Sequence, residues 1–216
     1  MMFSQLFLAL VLLLESGPYG HRLVFEKNKG QAPADVRYLL QTHAYQVDFK
    51  RGEMVFHFGS NGLRIHFDGR LNKKVPEGHA RLDGLIRYLD ADSDVDKDDI
   101  PKFASVKYES LYTGIDLDCY GREGHLECDF VALPNADPSQ IRVDLDGAGQ
   151  LNIDDAGALA ITIGGQTLHI RKPIGFQLQH GERTPVEIHY QLMDPHEVGF
   201  VIGDYNHQIP LIIDPR

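Results

Sequence analysis

Residues 106–138 read VKYESLYTGIDLDCYGREGHLECDFVALPNADP and predict a β-hairpin. A two-residue turn at Glu123-Gly124 places Cys119 opposite Cys128. Because side chains alternate between the two faces of a strand, this register separates the hairpin into an apolar and an acidic face. A slip of one residue would exchange the faces, so the clean separation favours this register. The apolar face comprises Ile115, Leu117, Cys119, Leu126, Cys128 and Phe130, and the other face comprises Asp116, Asp118, Tyr120, Glu127 and Asp129.

A second hairpin is predicted in residues 54–67, MVFHFGSNGLRIHF. Asn61-Gly62 is a preferred pair for a tight type I′ turn. A turn there places His57 opposite His66 on a polar face. The opposite, apolar face then holds Met54, Phe56, Phe58, Leu63, Ile65 and Phe67.

Short apolar segments separated by Gly, Asn, Asp or Pro continue to the end of the chain. The further predicted strands are 141–145, 151–153, 159–163, 167–170, 174–179, 186–192, 198–202 and 211–213. Such a pattern is typical of an all-β fold, here an antiparallel β-sandwich or open barrel built of hairpins and meanders. Helix is expected only as a short turn opening at Asp137-Pro138-Ser139.

Composition and charge narrow the class of partner. The chain has 216 residues and a formal net charge of −10, and its 21 Lys and Arg residues are scattered. Phosphate binding needs clustered basic residues, so we expect no nucleic-acid partner. An unknown protein or a surface polymer is the expected partner.

Export is predicted by the apolar run LFLALVLLL at residues 6–14. Nine residues are too few for a membrane span, but they suit the hydrophobic region of a signal peptide. We expect a signal peptide at residues 1–20 and an all-β module at 21–216, secreted or at the cell surface, with no membrane span in the mature chain. A buried N-terminal strand or helix is the alternative. The acidic loop 90–101 is either a long loop or an internal boundary.

The chain contains two cysteines, Cys119 and Cys128. In an oxidising compartment an even cysteine count favours a disulfide. The register above makes them a non-hydrogen-bonded pair, where the Cα atoms are close enough for that bond. Two buried free thiols are the alternative.

Two acidic groups are candidate calcium sites. The first is the acidic hairpin face, with Asp116, Asp118, Glu127 and Asp129. Solvent and neighbouring Lys107, Arg122 or Arg142 would equally offset its charge. The second is Asp92, Asp94 and Asp96, which match the first ligand positions of an EF-hand. Lys97 and Phe103 replace its required Gly and Glu, which excludes an EF-hand and leaves a looser calcium site or a solvated loop.

No known catalytic or nucleotide-binding motif occurs, so the chain is not expected to be an enzyme. His57, His66 and Asp68 would form a two-His-plus-carboxylate metal site, but the polar outer face of a half-exposed sheet is the favoured interpretation. No cofactor other than calcium is expected. An extracellular hydrolase using paired carboxylates is the third and weakest interpretation, because nothing selects one pair.

Several segments resemble a bacterial exported domain of unknown function that precedes SBBP-type repeats, which form seven-bladed β-propellers. The resembling segments are RLVFEKNKGQ (22–31), VRYL (36–39), VKY (106–108), YTGIDL (112–117), LECDF (126–130), ADPSQIR (136–142), RKP (171–173) and LIIDP (211–215). The cysteines stand where that family carries tyrosines, and the chain has no Trp. The resemblance implies an exported, non-enzymatic accessory or interaction module. A calcium-dependent module that binds glycans or other polymers is the alternative.

Overall fold

The computed structural model describes residues 22–67, 74–88 and 99–215. Almost all regular structure within these ranges is β-strand, which confirms the all-β prediction. The strands are β1 (Phe25–Lys27), β2 (Val36–Gln41), β3 (Gln46–Lys50), β4 (Glu53–Phe58), β5 (Asn61–Phe67), β6 (Glu77–Ile86), β7 (Ile100–Tyr112), β8 (Ile115–Arg122), β9 (His125–Ala132), β10 (Val143–Asp146), β11 (Leu151–Ile153), β12 (Leu159–Ile163), β13 (Gln166–Ile170), β14 (Ile174–Gln179), β15 (Glu182–Val186), β16 (Ile188–Asp194), β17 (Glu197–Ile202) and β18 (Leu211–Asp214).

The predicted short helical turn is present as a 3₁₀ helix at Pro138–Gln140. Asp137 caps it, because its side chain accepts a hydrogen bond from the backbone N–H of Ser139 at 3.0 Å. Pro138 occupies the first turn, where its missing N–H has no helical partner to lose.

One large antiparallel sheet has the strand order β15-β14-β18-β9-β8-β7-β1-β2-β3-β4-β5-β10-β17-β16, and β6 pairs with β7 beside this path. Its two end strands, β15 and β16, are consecutive in the chain and separated only by Glu187. The Gly203 N–H donates to the Glu187 carbonyl at 2.8 Å and fixes this junction. The sheet is therefore a nearly closed barrel, the second of the two predicted architectures.

The remaining strands, β11, β12 and β13, form a separate small sheet. Leu159 and Ile161 of this sheet are buried in the same core as the apolar inner face of the barrel. Aromatic contacts cross that core: the rings of Phe130 and Phe200, for example, lie 5.9 Å apart in an edge-to-face arrangement. The apolar face of each predicted hairpin faces this core.

The cysteine hairpin has the predicted register. Arg122 pairs with His125, Cys119 with Cys128 and Leu117 with Phe130. Glu123 and Gly124 form the tip and both have positive φ, 52° and 84°, as a type I′ turn requires.

The second hairpin turns two residues earlier than predicted, so its predicted turn and cross-strand pairs are wrong. Gly59, with φ of 57°, and Ser60 form the turn, and Asn61 already pairs with Phe58. The pair Gly59-Ser60 is itself suited to a two-residue hairpin turn, because glycine adopts the positive φ that its first position needs. A Cβ atom added to Gly164 would lie 2.6 Å from the Asn61 side chain, so the turn before β13 also packs on the start of β5.

A shift of two residues preserves the alternation of faces. Met54 pairs with Ile65 and Phe56 with Leu63, so the predicted apolar face is intact. His57, however, lies opposite Gly62 rather than His66.

Strands from both sides of the acidic loop pair with each other. β6 precedes this loop and β7 follows it, and Ile86 pairs with Ile100. Residues 90–98 of the loop lie outside the described ranges, and the internal boundary at 90–101 stays a prediction.

Candidate functional site

Acidic side chains from three neighbouring strands meet on the outer face of the barrel. Asp118 on β8 lies directly opposite Asp129 on β9, as predicted. The pairing of Phe130 with Ile213 places Asp214, the last residue of β18, beside Asp129. We call Asp118, Asp129 and Asp214 the carboxylate row.

Two of the predicted calcium ligands have protein partners. Asp116 forms an ion pair with the ammonium group of Lys107, at 2.8 Å, and accepts a 2.7 Å hydrogen bond from the Ser110 N–H. Glu127 lies 3.3 Å from the guanidinium group of Arg122. Lys107 and Arg122 therefore offset negative charge on the acidic face of the hairpin, as the interpretation without calcium predicted.

The oxygens of Asp118 and Asp129 in the carboxylate row are only partly hydrogen-bonded. The Tyr120 hydroxyl donates to Asp129 Oδ2 at 2.8 Å. Asp118 Oδ1 and Asp129 Oδ1 are buried and have no hydrogen-bond partner. Burial therefore raises the pKa of Asp129 to about 7; the Tyr120 hydrogen bond lowers it, whereas Asp214, Glu127 and Asp118 raise it further.

The pKa of Asp118 is also raised, chiefly by burial, although nearby Lys107 and then His79 oppose the shift. With a pKa of about 7, Asp129 is partly protonated at neutral pH, because burial and repulsion by the neighbouring carboxylates disfavour its ionised form. A proton or a cation would relieve this repulsion.

No group of three or more His, Cys, Asp or Glu residues in the part of the chain that the structure describes is arranged to hold a metal ion. Arg142, the third cation expected near the acidic face, pairs instead with Glu197 at 3.2 Å. The second candidate site, Asp92, Asp94 and Asp96, lies outside the described residues. Calcium stays a prediction at both sites.

The two cysteines lie at disulfide distance. Cys119 and Cys128 are bonded, with their Cα atoms 4.0 Å apart, the close spacing of a non-hydrogen-bonded pair. Cys119 is fully buried, and Cys128 lies beside the core. The bond therefore fixes the register that brings Asp118 opposite Asp129.

A family model described as "Domain of unknown function (DUF7948)" matches residues 25–216. The match spans both hairpins and the carboxylate row. The chain belongs to the DUF7948 family. No curated protein and no solved structure matches the chain.

The histidines of the second hairpin do not meet. His57 lies 2.9 Å from Asp48, and His66 lies 3.1 Å from Glu53. The two-His site therefore does not form in the observed register. Asp68, its predicted third ligand, lies outside the described residues.

The DUF7948 domain also carries an apolar strip that the sequence did not predict. Phe176 on β14 lies opposite Ile212 on β18, which lies opposite Val131 on β9. Ile174 and Leu178 flank Phe176 on the same face and are 39% and 52% exposed. We call these five residues the apolar strip. It borders the carboxylate row, since Ile174 lies opposite Asp214.

The orientation of β14 explains why the strip was missed. Alternation alone would place Ile174, Phe176 and Leu178 in the core, but Gly175 and Gln177 face inwards instead. Gln177 exchanges two hydrogen bonds of 2.8 Å with the backbone of Asn206. The loop at Asn206 that hydrogen-bonds the inward-facing Gln177 is 29 residues away in the sequence. The residues around Gln177 alone therefore do not predict its orientation.

Among the described residues of the DUF7948 domain, no helix has the length and apolar character needed to cross a membrane.

Proposed function

We propose that this chain is an exported, non-enzymatic interaction module of a bacterial surface or secreted protein, of the type that precedes SBBP-type propeller repeats. The proposal draws on the resemblance of residues 22–215 to such domains and on the apolar run at residues 6–14. The bonded pair Cys119 and Cys128 supports it, because disulfides persist in oxidising compartments.

The observation that carries the proposal is the apolar strip. Ile174 and Leu178 are exposed, the other three members are half-buried, and the Arg183 guanidinium lies 4.3 Å over the Phe176 ring. Contiguous apolar surface of this kind marks interaction surfaces more often than single exposed residues do. The strip lies on three adjacent strands, so its backbone is held rigidly before a partner arrives. Leu178 is its most exposed member.

The partner that we propose for the strip is an array of SBBP-type repeats. The test is hydrogen exchange of the DUF7948 domain with and without a separately produced array. We expect slower exchange in β14 and β18 when the array is present. Unchanged exchange in both strands would contradict the proposal.

A matched pair of variants makes this test specific. Leu178→Lys places a charge in the strip and should weaken binding of the array at least about tenfold, because a buried unpaired charge is costly. Val201→Lys makes a comparable change at a side chain that is 49% exposed on another strand, and should leave binding unchanged. Equal loss in both variants would indicate a general charge effect.

A calcium-dependent polymer-binding module is the second candidate. It is favoured by the two facing carboxylate oxygens, Asp118 Oδ1 and Asp129 Oδ1, which are buried without a partner. Calcium takes carboxylate oxygens as ligands, and two ligands here would leave further positions for polymer hydroxyls or water. Equilibrium dialysis of the protein with radioactive calcium tests it, and the absence of bound ion at millimolar calcium would refute it.

A further inference from the structure

An apolar cavity of about 150 Å³ lies between the barrel and the small sheet. Phe56 and Phe67 of the second hairpin border it on one side, together with Leu126 and Cys128 of the cysteine hairpin. Leu159 of the small sheet borders it on the other side. The cavity therefore lies where the apolar faces of the two hairpins and of the small sheet meet without filling the space between them.

The chemistry of the wall restricts what the cavity can hold. The described residues that line it include no charged side chain. Tyr190 supplies the one hydroxyl group of the wall, and that hydroxyl is buried without a hydrogen-bond partner. A water molecule needs two to four polar partners, so a single hydroxyl is too few to hold one. The cavity is partly open to solvent, and wherever its apolar wall is left uncovered it forfeits van der Waals contacts that a ligand would supply.

Size and polarity together define the ligand. Apolar cavities of about this volume, lined by Leu, Ile and Phe, stay dry and bind benzene or xenon. We infer that the cavity is a binding site for a compact, uncharged apolar molecule or group of about the size of benzene. This site is independent of the apolar strip, because it lies on the opposite, inner face of the sheet.

The wild-type protein is tested first, with benzene as the probe. Benzene at about ten times its dissociation constant should raise Tm by roughly 2–5 °C, since it binds only the folded state. Benzoate, which has the same ring and a charge, should give no shift because the cavity offers its carboxylate no partner. Equal shifts with benzene and benzoate would overturn the inference.

Nuclear Overhauser contacts locate the probe directly. We expect contacts from benzene to the methyl groups of Leu159 and Val198, which line the cavity. Their absence at saturating benzene would show that the space is an unused packing void and would overturn the inference, whatever the thermal shift.

Two variants then test the site by filling it. Val198→Phe fills the cavity from β17 and should abolish the benzene shift. Val201→Phe is the matched control, because Val201 lies on the same strand and faces the opposite way, half exposed; its shift should equal that of the wild type.

If Val198→Phe does not fold, Val143→Leu replaces it, because Val143 also lines the cavity and the change adds one methylene. It should weaken benzene binding at least threefold. An undiminished shift in a folded filling variant would overturn the inference.

Discussion

Asp118 and Asp129 face each other across the cysteine hairpin, and each keeps one buried carboxylate oxygen without a hydrogen-bond partner. Like charges directly opposite on a sheet are destabilising. The fold tolerates the pair because burial holds the pKa of both groups above the ordinary value.

The first prediction concerns pH. Asp129 has a pKa near 7 in the folded protein and an ordinary, lower pKa in the unfolded chain. Protonation of Asp129 therefore favours the folded state. This stabilisation is fully present below about pH 4, decreases between about pH 4 and 7, and is lost above about pH 7. The raised pKa of Asp118 acts in the same direction.

Asp129→Asn removes this dependence. We expect the variant to be more stable than the wild type at pH 8, on the order of 2 kcal/mol, and closer to it at pH 4. Urea unfolding at a series of pH values measures the difference. Asp155→Asn, the same exchange in an exposed turn, serves as the control. A wild type more stable at pH 8 than at pH 5, with Asp129→Asn parallel to it, would contradict the prediction.

The second prediction concerns calcium. At pH 8, where Asp129 is ionised, millimolar calcium should raise Tm relative to EDTA if the ion binds the carboxylate row. Asp129→Asn should abolish the shift. A shift that survives this variant places the ion elsewhere, with Asp92, Asp94 and Asp96 as the next candidates. No shift in the wild type leaves both acidic groups without calcium.

In the second hairpin the alternation of faces was the reliable signal, and the position of the turn was not. The faces of the second hairpin are correct although its turn is at Gly59 and Ser60, since a slip of two residues does not exchange faces. The pairing of His57 with His66 depended on the turn and failed with it. The sequence carries a competing local turn signal in Gly59-Ser60, and the structure uses that pair instead of Asn61-Gly62.

Strands β6 and β15 show a second limit. β6 (Glu77–Ile86) contains two glycines and three charged residues, and β15 (Glu182–Val186) contains Pro185. Neither has a strand-like composition. Pairing with β7 and β14 determines their conformation, so tertiary context overrides propensity in both.

The carboxylate row was predictable only in part. The pairing of Asp118 with Asp129 follows from the position of the turn in the cysteine hairpin. Asp214 joins them because β18 pairs with β9, a contact between strands far apart in sequence. The sequence of neither strand alone predicts such long-range pairing.

The third prediction concerns Tyr108, which is fully buried. Its single O–H donor is shared between the carbonyls of Lys50 and Glu53, both 2.9 Å from the hydroxyl oxygen, and so ties β7 to the turn between β3 and β4. Tyr108→Phe should lower the free energy of unfolding by about 1–3 kcal/mol, because both carbonyls lose a donor. Tyr205→Phe, at a half-buried tyrosine in a loop, is the control in denaturant unfolding. Equal stabilities of Tyr108→Phe and the wild type would refute the role of this hydroxyl.

The fourth prediction concerns export. Residues 1–20 fused to alkaline phosphatase should direct the enzyme into the periplasm, where it becomes active. Leu10→Arg interrupts the apolar run of residues 6–14 and should prevent export, whereas Leu10→Ile should preserve it. N-terminal sequencing of the exported full chain should give a start near His21. Retention of residues 1–20 in exported protein would refute the signal peptide.

The fifth prediction concerns the disulfide. Cys119 and Cys128 close a short loop, with a sequence separation of 9. Chain entropy then predicts a stabilisation of about 2–3 kcal/mol at most. Replacing both cysteines with alanine should lower the free energy of unfolding by up to that amount.

The second effect of the bond is on the site. Without it, the register of β8 against β9 is held only by strand pairing and by burial of the apolar face, so Asp118 and Asp129 should pack less tightly and the stability difference between pH 5 and pH 8 should shrink in the double-alanine variant. Reduction of the wild type with dithiothreitol is the matched control and should reproduce both changes. Mass spectrometry of unreduced peptides measures the bond itself: two alkylated thiols in periplasmically produced protein would show that the pair is not bonded there and that other contacts hold the register.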